Sequence, residues 1–349
     1  MGHMRITEGH VDTADLRVFE RRAGTGDPVV FVHGFPQTSY QWRHQLAALS
    51  DAGFGCFAPD NRGFGGTDKP GARVSRSILA DDLVRYLDAR GIGSCTLVGH
   101  DWGGIIAFKA AIDHPDRFTR LALLDTLCTV WSPAAVHGYW FKAEGLAEEF
   151  FASHHRRFIE VLFGGADVSA MGARPHNPWT SIPAGVRTRP AWIDDEALAH
   201  YVGAFADPAV WAHAISYYRY ALPFHEVIPD AGVRHGERFR SLPESEVAAL
   251  WLNPDGLEQH PGHRLFYDYG PQDRHKTYPH PALWLYGSYL GRVPAEPRAS
   301  IPVGNPFLDQ FSRYFPDLRA RSVPAGHFLG EEAAAVVNDH LLAFLTGRL

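Results

Sequence analysis

Three residues, each standing at the end of an apolar run, could together carry out a displacement followed by a hydrolysis: Asp101, Asp125 and His327. Asp101 lies in Cys95-Thr-Leu-Val-Gly-His-Asp-Trp-Gly-Gly104, after the run Thr96-Leu97-Val98 and before an apolar periodic segment (Ile105, Ile106, Phe108, Ala111, Ile112). That pattern reads as strand, sharp turn, helix. The glycines around Asp101 fit a turn so tight that no side chain has room beside its apex. A residue at such an apex is strained and exposed, so the stretch reads as a nucleophile elbow carrying a carboxylate. A carboxylate attacks at an alkyl carbon, leaves an alkyl ester and needs no base, only ionisation. An ordinary loop whose Asp caps the following helix uses the same residue types. The order and spacing of the other two residues favour the elbow.

The elements that must position these residues can be read along the chain. Segments 5–11 and 16–22 alternate as first strands, and Val29-Val-Phe-Val32 is a continuous apolar run of central-strand type. It stops at His33-Gly-Phe-Pro-Gln37, where Gly34 permits close backbone approach and Pro36 stiffens the loop, leaving the Phe35 amide to face a substrate oxygen. Helical spacing covers Trp42 to Ala52 and Ser77 to Ala89, with a strand at Phe54–Ala58 between them. The glycine-rich stretch from Pro59 to Pro70 lacks phosphate-loop spacing, so Asp60 and Arg62 are expected to brace it. Strands follow at Phe118–Leu124, Ala282–Tyr286 and Leu318–Val323, with a closing helix from Glu331 to Leu345. The expected fold class is therefore α/β, a mostly parallel eight-stranded sheet. Asp101, Asp125 and His327 each follow one of its strands and so share the carboxyl edge, where such sheets place ligands.

Between 129 and 280 this rhythm disappears, and aromatic-rich helical segments are expected at Ala135–Phe151, His155–Phe163, Asp195–Phe205 and Ala209–Tyr220. The expected division is a core of residues 5–128 and 281–349 with a helical cap of 129–280 inserted. The Pro- and His-rich part, 223–280, fits an extended lid or an oligomer contact such as a homodimer face, and the residues leave both open. Met1-Gly-His-Met4 reads as a cloning scar.

The order nucleophile, acid, histidine is that of the α/β-hydrolases. With His-Gly-Phe-Pro-Gln (33–37), Gly-His-Asp-Trp-Gly-Gly (99–104) and Gly-His-Phe (326–328), the chain resembles the branch containing epoxide hydrolases and haloalkane and fluoroacetate dehalogenases. The resemblance covers nearly all of 15–128 and 281–349 and is weaker in the cap. It implies an epoxide hydrolase in which Asp101 attacks, His327 activates water toward the ester carboxyl carbon, and Asp125 orients and stabilises the imidazole. The amides of Phe35 and Trp102 would form the oxyanion hole. Epoxide hydrolases usually keep the acid in the loop after Tyr286, where the first carboxylate here is Glu296. Asp125 matches the dehalogenase placement, and both stay open.

Cap tyrosines donate to the epoxide oxygen in such enzymes. Ser216-Tyr-Tyr-Arg219 matches the corresponding segment, which implies Tyr218 as one donor, with Tyr139 the tyrosine available in the first cap helix. Phe35, Trp102 and Tyr217 are expected to line the substrate space. Haloalkane dehalogenases carry Asn where this chain has Phe35. The carboxylate-binding arginines of fluoroacetate dehalogenases fall at Trp102 and Ile105. A dehalogenase therefore stands as the alternative, and a non-catalytic ligand-binding homologue as the alternative from another class. The absence of Gly-x-Ser-x-Gly at the elbow argues against a serine esterase.

Composition narrows the partners. With 349 residues, 45% hydrophobic and 13% aromatic, the chain can bury a large core and an aromatic cap, which points to an apolar or aromatic epoxide as substrate. A net charge of −6 without a basic run argues against nucleic acid and anionic membranes. There is no apolar run of spanning length. Three cysteines, Cys56, Cys95 and Cys128, read as buried thiols of a cytoplasmic protein. No cofactor is implied. The pairs His154/His155 and His260/His263 lack metal-ligand spacing, so no metal site is expected.

Overall fold

Alternation inside the apolar runs decides which face each side chain serves. In β3 (Pro28–Val32), Val30 and Val32 join one apolar cluster while Val29 and Phe31 join the other. The same split holds in β5 (Cys95–His100), β6 (Phe118–Leu124) and β11 (Ala282–Gly287): Leu97, Leu121, Leu123 and Trp284 face one way, Val98, Ala122, Leu124 and Leu285 the other. Strands buried on both faces need helices on both sides. The computed structural model describes residues 5–71, 73–131, 136–164, 192–229, 237–241, 245, 267–268, 271–287 and 311–349.

With β1 (Thr7–Asp12), β2 (Arg17–Ala23), β4 (Gly55–Pro59) and β12 (Leu318–Val323), these strands form an eight-stranded sheet of order β1-β2-β4-β3-β5-β6-β11-β12. The β1–β2 and β2–β4 pairings are antiparallel and the others parallel. On one face lie α2 (Arg76–Ala89) and α3 (Trp102–Asp113), whose buried residues join the first cluster. On the other lie α1 (Arg43–Asp51) and the last helix, α9 (Ala334–Leu345), with buried residues in the second. Ser75 caps α2 by accepting from the Ile78 amide at 3.1 Å.

Between β6 and β11, four helices stand among the described residues: α4 (Val136–Trp140), α5 (Leu146–Gly164), α6 (Asp195–Ala204) and α7 (Pro208–Tyr220). The expected helices Ala135–Phe151 and His155–Phe163 are divided elsewhere. The break falls at 141–145, ending on Gly145 with φ +82°, and the chain then runs helical through 152–154. The expected closing helix is likewise split, α8 (Leu329–Glu332) preceding α9.

A second departure concerns the Pro- and His-rich segment, read as part of a helical cap. β8 (His225–Pro229), β9 (Glu237–Ser241) and β10 (Tyr267–Asp268) join β7 (Val130–Trp131) in an antiparallel four-stranded sheet of order β7-β10-β8-β9. Strands of two to five residues are too short to show the alternation that betrays a longer one. The alternative acid Glu296, His260, His263 and most of 223–280 lie outside the described residues.

Candidate active site

Asp101 occupies the turn between β5 and α3 with φ +50° and ψ −121°. It stands at the N-cap position of α3, yet its side chain makes no capping bond there. This is an elbow, not a helix cap. Left-handed backbone at a non-glycine residue is costly and persists only where the surroundings impose it. Here the Thr126 hydroxyl donates to the Asp101 carbonyl at 2.6 Å, and the Asp101 amide donates to the Leu124 carbonyl at 3.2 Å. Two glycines make the approach possible. A Cβ on Gly103 would fall 1.9 Å from the Val32 carbonyl oxygen, and one on Gly34 would fall 2.5 Å from Asp101 Cβ.

The three residues converge at the carboxyl edge of the sheet. The Asp125 carboxylate lies 2.6 Å from His327 Nδ1, and its other oxygen accepts from the Gly287 amide at 3.0 Å. His327 Nε2 stands 3.4 Å from the Asp101 carboxylate. The imidazole thus bridges two carboxylates, and Asp125 is the one that fixes its ring. The other Asp101 oxygen accepts from the Phe35 amide at 2.7 Å. Trp102 opens α3, and the first amides of a helix have no intrahelical acceptor.

Electrostatics follow from this enclosure. Burial disfavours the His327 cation, but the hydrogen bonds and charges of Asp101 and Asp125 outweigh it and push the imidazole up to about 10. Burial alone would raise the Asp101 carboxyl, yet the facing His327, with the Phe35 amide, holds it below the usual range. Beneath them His100, driven down to about 3 chiefly by burial, is neutral, and its Nε2 sits 2.8 Å from the His327 carbonyl. These effects favour an Asp101 carboxylate facing a His327 imidazolium.

Aromatic rings from α7, from the turn after α4 and from the loop after β3 cover this group. Tyr218 on α7 is buried and meets Trp102 at 5.1 Å, Phe141 at 4.7 Å and Phe35 at 5.7 Å between ring centroids. Burial first, then the Asp101 charge, keep the proton on its hydroxyl well above the ordinary tyrosine range. Phe35 also touches Phe205 and Trp211, at 5.8 and 6.1 Å. Two expected residues point elsewhere. Tyr217 reaches Trp102 at 5.1 Å with its ring, but its hydroxyl donates to the Arg62 carbonyl at 2.9 Å, in the core loop. Adjacent helical residues are about 100° apart, so only one of Tyr217 and Tyr218 can face Asp101. Tyr139 is wholly buried, its ring 5.5 Å from Phe224. On the same helix the His137 ring meets Tyr218 edge to face at 5.3 Å, and burial first, then the charges of Asp101 and His327, set its affinity for a proton below the ordinary imidazole.

Other expectations resolve as structural parts. Asp60 accepts from the Ser39 and Gly66 amides at 2.7 and 2.9 Å, and Arg62 grips Asp82 through two bonds of 2.5 and 2.7 Å. His154 and His155 direct Nδ1 at carbonyls one turn back in α5. Among the described residues no group of three His, Cys, Asp or Glu could hold a metal ion, and no helix is long and apolar enough to cross a membrane. The three cysteines are buried thiols.

A network with no local sequence signature joins cap to core. The Gln37 amide nitrogen donates to Tyr201 Oη at 3.2 Å and to Glu331 at 2.7 Å, and Tyr201 donates to Glu331 at 2.9 Å. Arg43 closes it with an ion pair to Glu331. His137, His100, Thr126 and this network all escape a reading of the sequence, because each acts across the fold. The nearest signal was the helical phase of α4, in which residues two apart cannot share a face.

Residues 27–334 match the alpha/beta hydrolase fold family. Epoxide hydrolase A of Mycobacterium tuberculosis is 35% identical over 226 residues, covering 57% of this chain and 69% of that one. Epoxide hydrolase 3 of Siraitia grosvenorii is 34% identical over 228 residues, 60% of this chain and 71% of its own. Among solved structures, an epoxide hydrolase from an endophytic Streptomyces superposes with a TM-score of 0.65 at 25% identity, over 98% of this chain and 96% of that one. With its elbow, its eight-stranded sheet and these relatives, the chain belongs to the α/β-hydrolase fold family, beside the epoxide hydrolases.

Proposed function

We propose that this protein hydrolyses an epoxide to a vicinal diol through an alkyl ester on Asp101. The observation that carries the reading is the bridging position of His327, 2.6 Å from Asp125 and 3.4 Å from Asp101, beneath Tyr218. Asp101 attacks an epoxide carbon. The new C–O bond forms as the ring C–O bond breaks, and the electron pair passes to the ring oxygen, which takes the Tyr218 proton. Asp101 is then a neutral ester, and His327 has lost one of the two charges that held its proton. The proton it releases through water restores Tyr218, and the neutral imidazole is left as the base. The switch is automatic.

His327 next removes a proton from water, which attacks Asp101 Cγ. The Phe35 amide, already on Asp101 Oδ1, and the Trp102 amide receive the oxyanion. Collapse expels the diol oxygen, which takes the proton back from His327. The acid left on Asp101 then protonates His327, restoring the starting pair. Water's oxygen thus enters Asp101, while an Asp101 oxygen leaves in the diol. The rings around Phe35 support a bulky apolar or aromatic substrate, and the buried thiols support a reducing, cytoplasmic setting. The core and inserted-cap division at 129 and 280 belongs to the same reading.

His327→Gln blocks the second step and should accumulate, on mixing with an aromatic epoxide, a mass increase equal to the whole epoxide. Asp101→Asn in the same background should show none. An adduct of the alkyl group alone, formed from a haloalkane panel with halide release, would make the chain a dehalogenase. No adduct from either panel would remove the support for covalent catalysis.

A further inference from the structure

We propose that His100 is a positioning residue for the second half of the reaction, holding the His327 main chain in place once Asp101 has become a neutral ester. The inference rests on the epoxide reading above. In the sheet, β6 and β11 stand between β5 and β12, so the strands that lead to Asp101 and His327 are about 14 Å apart. The histidine loop must therefore reach back over two strands, and His100, the last residue of β5, meets it there. His100 Nε2 lies 2.8 Å from the His327 carbonyl oxygen, with the two ring centroids 4.8 Å apart. A carbonyl only accepts, so Nε2 carries the proton and donates. The same peptide is gripped on its other edge, where the Phe328 amide donates to Glu332 at 2.9 Å. Glu332 also accepts from the Gly326 amide at 2.8 Å, on the far side of His327.

The residue next to this peptide is held from elsewhere. Phe328 packs on Phe163 at 4.8 Å and on Trp192 at 5.9 Å, both from the segment between β6 and β11. In the resting site the imidazole is also drawn to the Asp101 carboxylate, 3.4 Å away. That attraction ends when Asp101 is esterified and His327 has given up its proton. Asp125 still holds Nδ1, but the reach of Nε2 toward water and Asp101 Cγ then depends on where the main chain sits. A reacting group displaced by about 1 Å loses about 10²-fold in rate. His100 fixes the main chain without adding charge, because burial chiefly, then the His327 charge, drive its own protonation down to about 3. Its Nδ1 has no hydrogen-bond partner among the described residues, so the ring is committed to its one bond with the loop.

The test follows a single turnover of an aromatic epoxide by intact mass, with enzyme in excess and His327 present, so that ester formation and ester hydrolysis are read separately. His100→Leu should form the adduct close to the parent rate and hydrolyse it about 10- to 100-fold more slowly, so that the adduct accumulates. His100→Gln, whose amide nitrogen reaches about as far as Nε2, should regain most of the hydrolysis rate. His100→Asn, one carbon shorter, should not. Ester hydrolysis at the parent rate in His100→Leu overturns the inference and leaves the hydrolase reading standing. An equal loss in both steps also overturns it, since a merely loosened elbow would slow both. If His100→Leu does not fold, the Gln and Asn variants decide, and equal hydrolysis by the two overturns it. If His327→Gln forms no adduct, the hydrolase reading fails and this inference with it.

Discussion

In the proposed reaction two aspartates at strand ends have opposite duties, and their surroundings separate them. Asp125 accepts from the Gly287 amide and lies hard against His327 Nδ1, so it orients; Asp101 accepts from the Phe35 amide and faces open chemistry. The shared imidazolium links them. His327 is raised above its ordinary 6.5 to about 10 by two carboxylates. Its ion pairs therefore stabilise the fold fully below about 6.5, and that contribution is lost as pH rises through about 10. Asp101→Asn, which mimics the charge of the ester, should lower the His327 titration by roughly 1–3 units. Side-chain NMR of the imidazole measures this. A titration unmoved by the substitution would sink the proton-release step. In sequence, Asp101 and His327 were legible from their motifs, whereas the choice between Asp125 and Glu296 depended on which carboxylate the fold delivers to Nδ1. Asp125 is delivered.

At the scale of elements, the β5–α3 turn is readable because its requirement is steric and local. Only small residues survive beside an apex held at positive φ, so glycines mark the place. The loop after β3, the strand paired with β5, obeys the same rule from next to it. A Cβ on Gly34 would sit 2.5 Å from Asp101 Cβ and 2.7 Å from Asp101 Oδ1. Gly34→Ala must therefore displace the Asp101 carboxylate or the Phe35 amide. We expect adduct formation to fall about 10²-fold, as for loss of an oxyanion donor, with the far-ultraviolet spectrum retained. Near-parent adduct formation in Gly34→Ala would show that the loop yields without disturbing the carboxylate. The helices of the cap were less legible. Periodicity located α6 and α7 to within a residue but put the α4–α5 break in the wrong place. The aromatic run continues across Gly145, and composition does not show where the backbone turns.

For the whole molecule, the notable join is between cap and core. Gln37 lies two residues past Phe35, Glu331 four past His327, and Tyr201 on α6, so one buried cluster ties the oxyanion loop, the histidine loop and the cap. Tyr201→Phe leaves the buried Glu331 carboxylate short of a donor, an omission that costs about 1–3 kcal/mol. We expect that loss in urea unfolding, together with a kcat/KM reduced severalfold through KM as the cap loosens. A variant as stable as the parent, with unchanged KM, would assign the cluster no part in closing the site.

What the sequence by itself determined was local: strand and helix periods, the glycines of the elbow, and the motif order that places Asp101 and His327 at one sheet edge. These are legible because each requirement is met within a few consecutive residues. The tertiary structure alone decided that Asp125 meets His327 Nδ1, that the Tyr217 hydroxyl turns to Arg62 while the Tyr218 ring packs on Trp102 and Phe35, and that the Tyr139 ring packs on Phe224. Each is a choice between neighbouring side chains of similar chemistry. It depends on the rotation of a helix or the reach of a loop against partners more than a hundred residues away in several cases, and nothing in the local run of residues records that angle.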